Sequence, residues 1–95
     1  MNAASVDVKH DPSKPRFEAN VDGRLCVADY RLHGGVMTLF HTEVPHGLEG
    51  RGIASELVRA ALAHARTEGL KVRPDCSYVA RWMQRHPESL DLLAT

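Results

Sequence analysis

Two dipeptides, Asp22-Gly23 and Gly34-Gly35, constrain the fold of this chain more than any other feature. Each joins stretches rich in apolar residues, and each suits the positive-φ positions of a two-residue hairpin turn. They divide "RFEANVDGRLCVADYRLHGGVMTLFHTEV" into three strands, Phe17–Val21, Arg24–Arg31 and Val36–Val44, that must form an antiparallel meander. Pro45 ends the third strand, because proline cannot donate to a ladder. The preceding stretch is polar, carries Pro12 and Pro15, and has no apolar signal-peptide core. Residues 1–14 are expected either to fray or to add an edge strand.

The second half changes period. Ile53, Leu57, Ala61, Leu62 and Ala65 recur at helical spacing, which predicts a helix from about Ile53 to Glu68, stopped by Gly69. "LKVRP" then reads as a short strand closed by Pro74. A strand, a helix and a strand make a crossover, so this last strand should lie parallel to a neighbour. A second helix is expected near Cys76, with Asp75 as N-cap and Tyr78, Val79, Trp82 and Met83 as its apolar face. His86-Pro87 breaks it, and "ESLDLL" adds a last helical turn or two. The result is one α+β domain of two or three layers. Its parts are a three-stranded antiparallel meander, a crossover helix, a parallel strand and a C-terminal helix. A chain of 95 residues has room for one such unit with a modest core.

Composition narrows the function. The 12 basic and 12 acidic side chains cancel to a net charge of +0, which argues against a nucleic-acid footprint. No apolar run approaches the ~18 residues of a membrane span. The expected location is cytoplasmic, where Cys26 and Cys76, which share no CxxC spacing, are free thiols. Cys26, in the middle of "RLCVADY", belongs to the core.

Between Pro45 and the first helix lies "HGLEGRGIA", with Gly47, Gly50 and Gly52. The first amides of a helix have no internal partner and carry the positive end of its dipole. Glycines in front of them let an anion approach, and Arg51 adds a side-chain charge. The same residues also suit a plain connecting turn. A P-loop is excluded, because Ile53 stands where a lysine must follow Gly52. A dinucleotide fingerprint is excluded by the order of the glycines.

"EGRGIASELVRAALAHAR" resembles motif A of the GNAT superfamily of N-acetyltransferases, [Q/R]-x-x-G-x-[G/A] at a helix start. Gly52 and Ala54 take the last two defined positions. Glu49 departs from the usual Gln or Arg. "TEVP", "KVRPDCSYV" and "HPE" further resemble the compact YjdJ-type GNAT-like proteins, with Ser77 in place of a second proline. The resemblance covers roughly residues 16–93. It implies a compact GNAT-like fold that binds acetyl-CoA as co-substrate and moves its acetyl group to an amine of unknown identity. It assigns the pyrophosphate to the backbone amides of the loop from Gly50 to Ala54, helped by Arg51, and makes Val44, Glu49, Gly50, Arg51, Gly52, Ile53 and Ala54 the cofactor-binding residues. Pantetheine is placed between Val36–Val44 and Leu70–Arg73. So short a chain implies a shallow, open acceptor site. A non-catalytic CoA-binding or interaction module of the same fold is the alternative. The assembly expected is a monomer or a weak homodimer, with no nucleic acid or membrane partner.

Three residues are candidates for the chemistry. Glu43 is expected to share a strand face with Met37, Leu39 and His41, near the end where open sheets place ligands. There it could deprotonate the amine, but nothing in the sequence tunes its acidity, which tilts it toward a surface acid. Cys76 is expected at a helix N-terminus, which favours a reactive thiolate, while Asp75 opposes it. The resemblance places Cys76 near the acetyl group, where it could accept acetyl covalently; a small core residue fits as well. Tyr78 could protonate the leaving thiolate, a role the resemblance suggests, although its spacing with Trp82 reads first as a core aromatic. His41, Glu43 and His46 do not have metal-site spacing, and no metal is expected.

Overall fold

The structure, a computed structural model, describes residues 6–95. Five strands form one sheet in the order β1-β2-β3-β4-β5: β1 Lys9–Asp11, β2 Arg16–Val21, β3 Arg24–His33, β4 Val36–Glu43 and β5 Lys71–Pro74. Helix α1, Ile53–Thr67, crosses from β4 to β5. Helix α2, Ser77–Arg85, follows, and a 3-10 helix over Pro87–Leu92 ends the regular structure. The meander is antiparallel and β5 lies parallel to β4, as the turn chemistry and the crossover predict. The edge strand β1 forms within the N-terminal stretch; residues 1–5 of that stretch lie outside the described residues.

The local causes are visible. Asp22 and Gly23 have φ of 53° and 76°, and Gly34 and Gly35 of 57° and 78°, the paired left-handed conformations of a tight hairpin. Ile53, Leu57, Val58, Ala61, Leu62 and Ala65 form the buried stripe of α1. They pack with Phe17, Ala19, Cys26, Ala28, Tyr30, Met37, Leu39 and Val72 from one face of the sheet, and with Val79, Trp82 and Met83 of α2, in a single cluster. Both helices therefore cover the same face, and the domain has two layers. On the other face Arg16 bonds to Asp29 at 3.0 Å, and Arg31 lies 4.3 Å over the Phe40 ring.

Three expectations are corrected. Cys76, not Asp75, is the N-cap of α2, and no side chain caps that helix; Asp75 pairs with Arg73 at 3.5 Å instead. Tyr78 is not a core aromatic. It is 37% exposed, because the first turn of α2 faces the place where β4 bends away. The third concerns the face of β4. Asp29 pairs with His41 but Tyr30 pairs with Leu39, so Phe40 has no partner and forms a bulge. A bulge resets the alternation. Met37 and Leu39 point into the core, and beyond Phe40 it is Thr42, opposite buried Ala28, that continues their face. His41 and Glu43 turn to the outer face.

Strand β1 pairs with β2, and the His10 ring ties it to the core and to α1. His10 stacks on Phe17 with centroids 4.3 Å apart, places Nε2 2.6 Å from the Tyr30 hydroxyl, and meets the His64 ring of α1 at 4.4 Å. Burial first, and then His64, push its pKa below the ordinary histidine value, against the opposite influence of Asp11. The folded chain thus binds this proton more weakly than the unfolded chain does. Stability must fall as pH drops through the ordinary histidine range, and it is regained above that range. The melting temperature is expected to fall between about pH 7 and pH 5. The fall should be smaller in His10→Phe, which keeps the stack and cannot titrate. Identical pH profiles for the two proteins would show that His10 contributes nothing to it.

Candidate active site

Strands β4 and β5 pair only over Val36–Leu39 and Lys71–Pro74. Beyond them the Cys76 amide donates to the Leu39 carbonyl at 3.0 Å, and then the two segments part. The Asp75 amide, next in line to meet β4, turns back to the Arg73 carbonyl at 3.1 Å, and Phe40 bulges out of β4. The opening therefore lies between β4 after Leu39 and the first turn of α2. It does not run along Leu70–Arg73, where the strands are hydrogen-bonded.

At the edge of this opening stand Thr42 and Cys76. Their Oγ1 and Sγ atoms are 3.7 Å apart. Cys76 is half-buried, whereas Cys26 is fully buried in the core, where desolvation pushes its thiol pKa up.

The glycine loop reaches α1 through Gly52, which has φ of 78° and serves as N-cap with no side chain to bond. The first helical bond runs from the Glu56 amide to the Gly52 carbonyl at 3.1 Å. The amides of Ile53, Ala54 and Ser55 precede that bond and are left for an outside acceptor. Gly47 and Gly50 also have positive φ, of 100° and 82°, so the loop is built from conformations that suit glycine. Buried Leu48 pins its middle to the core. Arg24 bonds to the His46 carbonyl at 2.8 Å, and Arg51 bonds to Asp22 at 3.0 Å, so the hairpin turn of Asp22-Gly23 braces the loop from one side.

A cleft of about 310 Å³ lies against this loop. It is lined by Val44, Leu48, Glu49, Gly50, Gly52, Ile53, Ala54, Ser55 and Tyr78. The residues expected to bind the cofactor thus line one cleft, except Arg51, whose guanidinium is turned to Asp22. Glu49 faces His46 at 3.6 Å. Cys76 is not a wall residue of the cleft; it lies beside Thr42. Glu43 is 67% exposed and lies 3.2 Å from His41, away from the cleft. His46 is engaged with Glu49, so His41, Glu43 and His46 do not converge.

Leu48, Ser55 and Thr42 belong to the site although no motif announced them. The signal for Leu48 was an isolated apolar residue inside a glycine loop. Ser55 accepts a hydrogen bond from the Trp82 indole N–H at 2.8 Å, which ties α2 to the start of α1. A second cleft of about 360 Å³ adjoins the first, shares Ser55 and Tyr78 with it, and continues to Arg81, Trp82, Arg85 and His86.

Known proteins share this sequence pattern and fold. The family model of the GCN5-related N-acetyl-transferases matches residues 16–92. Protein NATD1 of Xenopus tropicalis is 33% identical over 88 residues, spanning 90% of this chain and 81% of that protein. Protein NATD1 of Homo sapiens is 34% identical over 85 residues, spanning 86% and 75%. The solution structure of a GCN5-like protein from Staphylococcus aureus shares the fold, with a TM-score of 0.75 at 23% identity, over 96% of this chain and 90% of that one. A family match that runs from β2 to the end of the closing 3-10 helix takes in the loop, both helices and the cleft between them, and the chain belongs to the GCN5-related N-acetyltransferase family.

Proposed function

We propose that this chain binds acetyl-CoA in the glycine-loop cleft and transfers the acetyl group to an amine by way of Cys76. The observation that carries this reading is the layout of the cleft. Uncapped amides of α1 and the Tyr78 ring line it, and the Thr42–Cys76 pair stands just outside, each two residues along the chain from a wall residue, Val44 and Tyr78. A diphosphate suits the amides, by hydrogen bonds and by the helix dipole. A narrow, largely apolar arm suits the walls made by Val44, Leu48 and Ile53.

The transfer divides into two steps that balance. The Cys76 sulfur attacks the thioester carbonyl carbon. A bond from that carbon to Sγ forms, and its bond to the CoA sulfur breaks. The Cys76 proton ends on the CoA sulfur, relayed through the Tyr78 hydroxyl, which gives one proton and takes one. Burial holds Tyr78 protonated by pushing its pKa up, and Cys76 adds to that, while Arg85 opposes it. A neutral amine then attacks the acetyl carbon, the carbon–Sγ bond breaks, and the amine proton returns to Cys76. Thr42 positions Sγ. Glu43 has no part in this sequence, since its carboxylate lies on the outer face beside His41.

Calorimetric titration of acetyl-CoA tests the binding half. Gly52→Val places a β-branched side chain at positive φ and in the path of the anion. Affinity is expected to fall by at least about tenfold, or ~1.4 kcal/mol, with the circular dichroism of the folded protein retained. An absence of binding by the wild-type chain would remove the proposal.

A further inference from the structure

Helix α2 carries two arginines on one side, at i and i+4, Arg81 and Arg85. Elsewhere on the molecule most arginines find acidic partners, and of the rest Arg24 bonds to the His46 carbonyl and Arg31 lies over the Phe40 ring. Arg16 meets Asp29, Arg51 meets Asp22, Arg66 meets Asp91 and Arg73 meets Asp75. Among the described residues neither Arg81 nor Arg85 pairs with a carboxylate. Both line the second cleft instead, and its floor is rigid. Trp82 is fixed by its bond to Ser55, the His86 ring stacks on Trp82 with centroids 3.6 Å apart, and His86 Nδ1 is 2.7 Å from the Trp82 carbonyl oxygen. Arg59 of α1 brings a third guanidinium 5.4 Å over the Trp82 ring, with Glu56 beside it at 3.8 Å.

The position of this cleft along α2 identifies what it would hold. Cys76 caps the helix, Tyr78 borders both clefts, and Arg85 lies about 10 Å further along the axis at ~1.5 Å per residue. A ligand with its thioester near Cys76 and its diphosphate on the α1 amides has only its sugar end left to place. That end passes Ser55 and enters the second cleft. We infer that Arg81 and Arg85 form a binding site for a phosphate monoester on that sugar, and so select CoA over its 3′-dephospho form. The inference rests on the acetyl-CoA reading and adds to it a part of the ligand that the glycine loop does not reach. Guanidinium groups suit a phosphate because their planar fork can bond two oxygens at once.

Titrations of CoA and of 3′-dephospho-CoA separate this inference from the one beneath it. The wild-type chain is expected to bind CoA at least about tenfold more tightly, with a preference that shrinks as salt screens exposed charges. Replacing both residues, Arg81→Gln with Arg85→Gln, should erase the preference and leave the affinity for dephospho-CoA unchanged. Glutamine is a good helix former, so these exposed changes keep α2 folded. Equal affinities in the wild-type chain would overturn the arginine site and leave the acetyl-CoA reading standing. A double variant that loses both ligands alike would also overturn it, since the arginines would then act on the part the two share. If neither ligand binds, the acetyl-CoA reading fails, and this inference fails with it.

Discussion

Cys76→Ala is expected to lower acetyl turnover by at least about a thousandfold, the scale seen when a covalent nucleophile is removed. The change should cost little stability, because the side chain is small and only half-buried. Intact-mass measurement after incubation with acetyl-CoA reads the step directly. The wild-type chain should carry one acetyl group, and the Cys76→Ala chain none. Cys26 cannot substitute, being fully enclosed by the core. Thr42→Val removes the hydroxyl 3.7 Å from Sγ while keeping the shape, and should slow acetylation without abolishing it. A Cys76→Ala chain that still turns over would mean direct transfer from thioester to amine. A wild-type chain that binds acetyl-CoA but neither gains an acetyl group nor transfers one would be a CoA-binding module built on the same fold.

Leu57→Ala should cost about 2–5 kcal/mol, the range for removing an enclosed leucine. Leu57 is 0% exposed, in the middle of the α1 stripe that closes the sheet. A chain of this size has roughly 5–14 kcal/mol of stability in all. The melting temperature is therefore expected to drop by on the order of 10 °C or more. Leu25→Ala is the control. Leu25 is 46% exposed, so its loss should cost less than about 1 kcal/mol. A similar small cost at Leu57, measured by urea unfolding, would mean that α1 does not close the core as described.

The parts of the fold legible in the sequence are those governed by local chemistry. The turns at Asp22-Gly23 and Gly34-Gly35 need positive φ, and the residue pairs announce it. The α1 stripe follows from spacing alone, and β5 follows from the crossover rule. The glycine loop was legible as the entry to α1, but its glycines alone suited a plain turn as well as an anion site, and only the resemblance to motif A separated the two readings. What stayed hidden depends on tertiary context. Nothing in "LFHTE" marks Phe40 as a bulge, since the residue is neither glycine nor small, and the extra residue shows only in the register of β4 against β3. Strict alternation therefore put Glu43 where Thr42 stands. Tyr78 has the spacing of a core aromatic, but its neighbour is an opening, not a wall. Arg81 and Arg85 look like a solvated helix face until the adjoining cleft is seen.

The bulge separates the shape of this site from its chemistry. Deleting Phe40 keeps Thr42 opposite Ala28 and His41 opposite Asp29, because the pairing on either side already skips it. Every inward side chain of β4 would keep its place, and only the bend would go. The shape of the opening and the chemistry lining it are thus encoded by different residues. Losing or gaining a single codon can narrow or widen the entrance while leaving the reactive corner at Thr42 and Cys76 as it was.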